Sequence, residues 1–222
     1  HKQLMDYYQA EIDAALARGP RHPDQLAQRL GVTPVAIGKV RRTLIAVWPS
    51  ARIEEVSIEV EPGHTADALL LTPPKPTGAS VIAIGPATEV PESWAGLAQG
   101  KQPAGWLASL LGRGYTVCLA LTVQRTGDHA VSQSTRGKNR RHVLHRLAFV
   151  TGRTVTGLEV SEVRTLAAWL NRTGSVGLYG EGDGARIASY AAMIDKGLFA
   201  TLNTAGATAD SWKEPVDTTI WG

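Results

Sequence analysis

Ser175-Val-Gly-Leu-Tyr-Gly-Glu-Gly-Asp-Gly-Ala-Arg-Ile-Ala-Ser-Tyr-Ala-Ala-Met-Ile-Asp195 decides the reading of this chain. A short apolar run, Val176 to Tyr179, enters a turn of glycines and carboxylates, Gly180-Glu181-Gly182-Asp183-Gly184, and an alanine-rich segment leaves it. The predicted local structure is strand, tight turn, helix. Glycines at 180 and 184 suit a sharp reversal because they carry no Cβ. In a G-x-S-x-G turn the middle residue is a nucleophile, held on a strained backbone at the end of a strand. Here that position is Gly182, which has no side chain to attack with. The turn is present and its nucleophile is not. Two other readings stand beside this one. Helix N-terminal N–H groups attract anions, and G-x-G-x-x-G can be laid on Gly180, Gly182 and Ala185 if Ala is accepted at the third place. Glu181 and Asp183 would then set two carboxylates beside a pyrophosphate, which is electrostatically unfavourable. The other reading is a structural turn with no chemistry.

The 222 residues and 43% hydrophobic content suffice for one main domain with a buried core. A net charge of +3, with Lys and Arg scattered among acidic residues, argues against nucleic acid as the partner. The lone Cys118 excludes an internal disulfide framework. Its place in Tyr115-Thr-Val-Cys-Leu-Ala-Leu121 predicts a buried strand thiol rather than a reactive one. No run approaches the roughly 18 apolar residues of a membrane span, so no membrane partner is expected. His1-Lys2-Gln3-Leu4 shows no apolar signal segment, and composition assigns no compartment. The chain opens on His1 rather than Met, which leaves room for an upstream piece.

Leu4, Tyr8, Ile12, Ala15 and Leu16 recur at helical spacing up to Gly19-Pro20, and a second short helix is predicted from Pro23 to Leu30. Ile53–Val60 and Ala66–Leu71, separated by Pro62-Gly63-His64, read as a hairpin or two neighbouring antiparallel strands. After Pro73-Pro74-Lys75-Pro76 the texture becomes alternating. The predicted order is strand Ser80–Ile84, a long loop through Trp94 to Gln102, helix Pro103–Leu111 and strand Tyr115–Thr122. A polar, basic loop from Gln124 to Arg140 follows, then helical residues 141–151 and helix 157–171. Strand Ser175–Tyr179, helix 184–195 and strand Leu198–Ala205 complete the pattern. Val163, Leu166, Ala167 and Leu170 fall at i, i+3, i+4 and i+7, one apolar stripe. Such alternation predicts an α/β fold, a mostly parallel sheet with flanking helices and antiparallel strands at its start. The strands at 80–84, 115–122, 175–179 and 198–205 are expected to be central. Residues 1–50 are expected to form a helical preamble packed on a main domain of residues 51–222.

Several segments together resemble one family. They are Val81-Ile-Ala-Ile-Gly-Pro-Ala-Thr-Glu-Val-Pro-Glu-Ser93, Leu107–Gly114, Arg146-Leu-Ala-Phe-Val-Thr-Gly-Arg-Thr-Val-Thr-Gly-Leu-Glu-Val160, the 180–184 turn, and Trp212-Lys-Glu-Pro-Val-Asp217 with Ile220-Trp221-Gly222. In order and spacing they are similar to the acetyl xylan esterase and dienelactone hydrolase-like branch of the α/β-hydrolases. The similarity is greatest to a divergent bacterial subgroup with a G-E-G-x-G elbow. It covers residues 50–222 well and the first fifty loosely.

The resemblance implies an α/β-hydrolase fold, descent from carboxylic ester hydrolases, a small acyl or carbohydrate ester as ligand, and neither cofactor nor metal. Its departures bear on activity. Members that hydrolyse esters carry Ser or Cys where Gly182 stands, and commonly a His-Gly pair of the oxyanion hole after the strand that ends here at Ile84. This chain has Gly85-Pro86, and proline supplies no N–H. Family chains continue past the position of Gly222, through strands that deliver the triad acid and histidine in the order Ser, Asp, His. This chain is expected to stop short of that region, so no triad is carried onto it. The candidate site is therefore the vacant nucleophile position Gly182 with elbow residues Gly180, Glu181, Asp183 and Gly184. The expectation is an esterase-like pseudoenzyme. One alternative is an active hydrolase using other residues near the elbow, with Glu181 or Asp183 activating water and Ser189 close by in sequence.

The other alternative is DNA binding through residues 25–42. Leu26-Ala-Gln-Arg-Leu-Gly-Val-Thr33 followed by a basic segment imitates a helix-turn-helix. Gly38 weakens the would-be recognition helix by about 1 kcal/mol relative to Ala, and Leu26, Leu30, Val35 and Val40 are expected to pack against the sheet instead. His142 and His145, with Asp128 and His129 upstream, have metal-ligand spacing on a predicted helix, but Arg140, Arg141 and Arg146 oppose a cation there. Arg136-Gly-Lys-Asn-Arg-Arg141 lacks interleaved aromatics and reads as a solvated basic face. Arg146 and Arg153 are expected to brace carboxylates beneath the site, since a guanidinium can hold two oxygens at once.

Overall fold

The computed structural model describes residues 23–86, 89–98, 102–122 and 148–206. Within them, the segment Arg52 to Thr72 folds as the hairpin that its β-branched, alternating residues predict. Strand β2 (Arg52–Glu61) pairs antiparallel with β3 (His64–Thr72) around a turn at Gly63, whose φ of 82° favours glycine. Val56, Ile58 and Val60 of β2 and Ala66, Ala68 and Leu70 of β3 face one core, while Ile53, Leu69 and Leu71 face another. The unbroken run Leu69-Leu70-Leu71 is therefore a strand covered on both faces.

Strands β1 (Val40–Val47), β4 (Ser80–Ile84), β5 (Thr116–Leu121), β6 (Val176–Glu181) and β7 (Thr201–Ala205) join this hairpin in a seven-stranded sheet of order β1-β2-β3-β5-β4-β6-β7. Pairings from β5 through β4 and β6 to β7 are parallel, and those of β1, β2, β3 and β5 are antiparallel. Helices α4 (Val155–Leu170) and α5 (Asp183–Ile194) pack on one face; α2 (Pro91–Ala95) and α3 (Gly105–Gly112) pack on the other. Helix α4 is buried along most of its length, including Glu159, Ser161, Glu162, Arg164 and Thr165. Its start is fixed by Thr154, whose hydroxyl oxygen accepts from the Gly157 N–H at 2.9 Å and donates to the Leu30 carbonyl at 2.9 Å. That second bond ties α4 to the end of helix α1 (Pro23–Leu30).

Several expectations are corrected. No helix-turn-helix forms at 25–42. Residues 32–39 carry no helix, and strand β1 (Val40–Val47) begins where the recognition helix would lie. The physical reason is local: Val40, Thr43, Ile45 and Val47 are β-branched, and the Gly38 N–H and Lys39 carbonyl pair with the Glu59 carbonyl and N–H of β2. The preamble is accordingly not wholly helical. Strand β7 starts three residues later than expected, because Leu198 and Phe199 turn inward onto the core. It is the last strand of the described sheet, with all its residues exposed, and not a central one. The long loop expected after Ile84, through Trp94 to Gln102, contains the short helix α2.

Candidate functional site

Parallel strands β4 and β6 end side by side, Ile84 opposite Gly180, and this brings the loop after β4 against the turn after β6. Gly182 lies between β6 and α5 with φ 57° and ψ −122°. Those torsions are costly for any residue with a Cβ. The Gly182 N–H donates to the Ala205 carbonyl of β7 at 3.0 Å, and its carbonyl accepts from the Ala185 N–H at 3.1 Å. A side chain at 182 would point toward Pro86, its Cβ 3.1 Å from the proline Cβ. The flanking glycines are required by close approach. A Cβ at 180 would lie 2.6 Å from the Ala185 Cα, and one at 184 would overlap the Ile84 carbonyl. The first turn of α5 thus rests directly on the end of β4, with Gly182 raised above both.

The carboxylates of the turn are engaged. Glu181 accepts from the Tyr179 hydroxyl at 3.0 Å. Burial first, and then the Glu181 carboxylate, holds the Tyr179 phenol above its ordinary value. Its ring lies 5.3 Å from that of Trp106 and 6.3 Å from that of Trp94, and the two indoles meet edge to face at 5.2 Å. Asp183 pairs with Arg186 one helical turn along at 2.9 Å. The Ser189 hydroxyl donates back to the Ala185 carbonyl of its own helix at 2.8 Å. Beside Gly85, a crevice bounded by Val90, Trp94 and Leu119 is too narrow to admit a water molecule.

Arg153 does hold a carboxylate through both terminal nitrogens, but the partner is Glu61 at the end of β2. The sequence reading missed the group that this pair belongs to. His64 Nε2 lies 2.7 Å from Glu162 Oε1, and its Nδ1 lies 3.5 Å from Glu61 Oε1. The only sequence signal was a histidine at a hairpin turn. Glu162 raises the pKa of His64, and Arg153 lowers that of Glu61. Cys118 is fully buried, which pushes its thiol up to about 12. Arg146, Asp128, His129, His142, His145, the basic run 136–141 and the segment 212–222 lie outside the described residues. Among those described, no group of three His, Cys, Asp or Glu side chains is arranged to hold a metal ion. No described helix is long and apolar enough to cross a membrane.

No protein-family model matches the chain, nor does any curated sequence. Solved structures do. A proposed acetyl xylan esterase from Bacteroides fragilis superposes with a TM-score of 0.65 at 14% identity, over 81% of this chain and 50% of its own. Acetyl xylan esterase 1 from a Thermoanaerobacterium species gives 0.57 at 12% identity, over 82% and 57%. The acetyl xylan esterase of a Paenibacillus species gives 0.52 at 13%, over 78% and 54%. The chain thus spans about half the length of the structures it matches. Strand order, elbow and superposition agree: the chain has the α/β-hydrolase fold.

Proposed function

We propose that this chain is a relative of carboxylic ester hydrolases that binds a small acyl or carbohydrate ester without hydrolysing it. The observation that carries the reading is Gly182, which holds a strained φ and ψ at the tip of the elbow and bears no attacking atom. Covalent acyl transfer needs a side-chain nucleophile and a neighbouring base. Stabilisation of the developing oxyanion needs backbone N–H groups aimed at it, and Pro86 supplies none from the loop after β4. Each elbow carboxylate already holds a partner, Glu181 accepting from Tyr179 and Asp183 from Arg186.

The test is turnover of p-nitrophenyl acetate together with labelling by a serine-reactive fluorophosphonate. We expect no turnover above a heat-treated control and no label. Gly182→Ser should not restore activity, because a serine without a base remains a weak nucleophile. Saturable hydrolysis by the unmodified chain overturns the proposal. Loss of that hydrolysis in Glu181→Gln would then assign the water-activating role to Glu181.

A further inference from the structure

A second opening lies away from the elbow. A cleft of about 370 Å³ lies at the opposite end of the sheet, between the C-terminal end of α4 and the first residues of β4 and β5. Ser80 opens β4 and pairs with Val176, whereas Ile84 at the other end pairs with Gly180. Four residues of strand, roughly 13 Å, therefore separate the cleft floor from the elbow. The volume falls within the roughly 300–1,000 Å³ typical of small-molecule sites.

Its lining has two characters. Leu70, Leu170, Pro76 and Trp169 supply apolar surface, and Arg42 and Arg172 supply charge. The charge is unbalanced. Glu54, nearly buried on β2, accepts from Arg42 at 2.5 Å and from Arg52 at 3.2 Å, so one carboxylate serves two guanidiniums. Arg172 makes no ion pair among the described residues. The negative end of α4 opposes an anion, but a helix terminus amounts to about half a charge. Thr173 also occupies its Leu170 carbonyl through both N–H and hydroxyl, at 2.9 and 2.8 Å. The guanidiniums prevail. Arg42 is further held in place over the Trp169 ring, 5.8 Å from its centroid, which limits the freedom it would lose on gripping a ligand.

We infer that this cleft is a binding site for a small organic carboxylate with an apolar body. The carboxylate would bind the forked donors of Arg172 and Arg42, and the body would lie against Trp169 and Leu170. A bare inorganic anion leaves the apolar surface unused, and a neutral molecule leaves Arg172 without an ion pair. The site is separate from the elbow and does not depend on how Gly182 is read.

The experiment is calorimetric titration of the whole chain with sodium benzoate, using benzamide as an uncharged ligand of similar shape and inorganic phosphate as an anion without a body. Benzoate is expected to saturate one site, with benzamide and phosphate each weaker by about tenfold or more. Arg172→Gln, at an exposed position where folding is not at risk, should weaken benzoate by a similar factor. Arg186→Ala, which removes a cation near the elbow, should leave it unchanged. The inference is overturned if benzoate shows no saturation below about 10 mM. Equal binding of benzamide or phosphate also overturns it, as does indifference to Arg172→Gln.

Discussion

At Gly182 and Gly184 the same residue type answers two different demands. Gly182 is needed first for its backbone angles, and its side-chain direction meets only Pro86, the Cβ at 3.1 Å and the Cα at 3.6 Å. Gly184 is needed for space, because a methyl there would overlap the carbonyl of Ile84. The two substitutions to alanine should therefore differ in size. Gly182→Ala is expected to cost about 1–3 kcal/mol through torsional strain. Gly184→Ala should cost more than about 4 kcal/mol, since β4 and α5 must part to admit it. Urea denaturation of both variants would check this, and equal losses would contradict it. The glycine pattern was legible in the sequence because it is local. The meeting of Tyr179 with the rings of Trp94 and Trp106 was not, since those aromatic residues come from β6, α2 and α3 and meet only once the sheet exists.

Among elements, the β2–β3 hairpin and α4 are joined by ionisable groups, and this gives their contact a pH dependence. Glu162 raises His64, so the native state holds that proton more tightly than the unfolded chain does. The stabilisation is complete below the ordinary histidine value of about 6.5 and is lost as pH rises through the raised native value. Arg153 lowers Glu61, so that contribution is present above the ordinary value of about 4.3 and is lost as pH falls through the lowered one. His64→Gln should therefore flatten the fall in urea midpoint above about pH 6.5, and it should weaken the Glu61 contribution on the acid side as well, because His64 also helps to hold Glu61 low. A fall of the same steepness in the variant would remove His64 from the account.

The hairpin and the long helices were legible because apolar residues repeat at periods of two or near 3.6, and β4 and β5 because they are short continuous apolar runs. Strand β1 was not. It lies at an edge with most of its residues exposed, so no burial period marks it, and its one leucine and two valines fit a helix template equally well.

For the whole molecule, the alternation of strands and helices conveyed the class of fold but could not specify its edges. Strand order places β1 and β7 at the two ends of the described sheet, and neither is buried as an inner strand is. The interior is held from the α4 side. Arg164 donates to Asp195 at 2.9 and 2.7 Å and to the Thr33 carbonyl at 2.9 Å, connecting the end of α5 to the segment after α1. Such long-range ties need three-dimensional proximity and leave no trace in local spacing.

The hydrogen bond from Gly182 to Ala205 makes the tip of the elbow report on a strand twenty-three residues away. When β7 frays, the Gly182 amide loses its acceptor and becomes available for exchange with solvent deuterium. Exchange at Gly182 should therefore keep pace with that of the β7 amides, whereas Ile82 in the sheet interior should exchange far more slowly. Identical protection at Gly182 and Ile82 would mean that the tip is held without β7. With parallel rates, the tip persists only as long as the outermost described strand stays docked, and its lifetime is set at the periphery of the sheet.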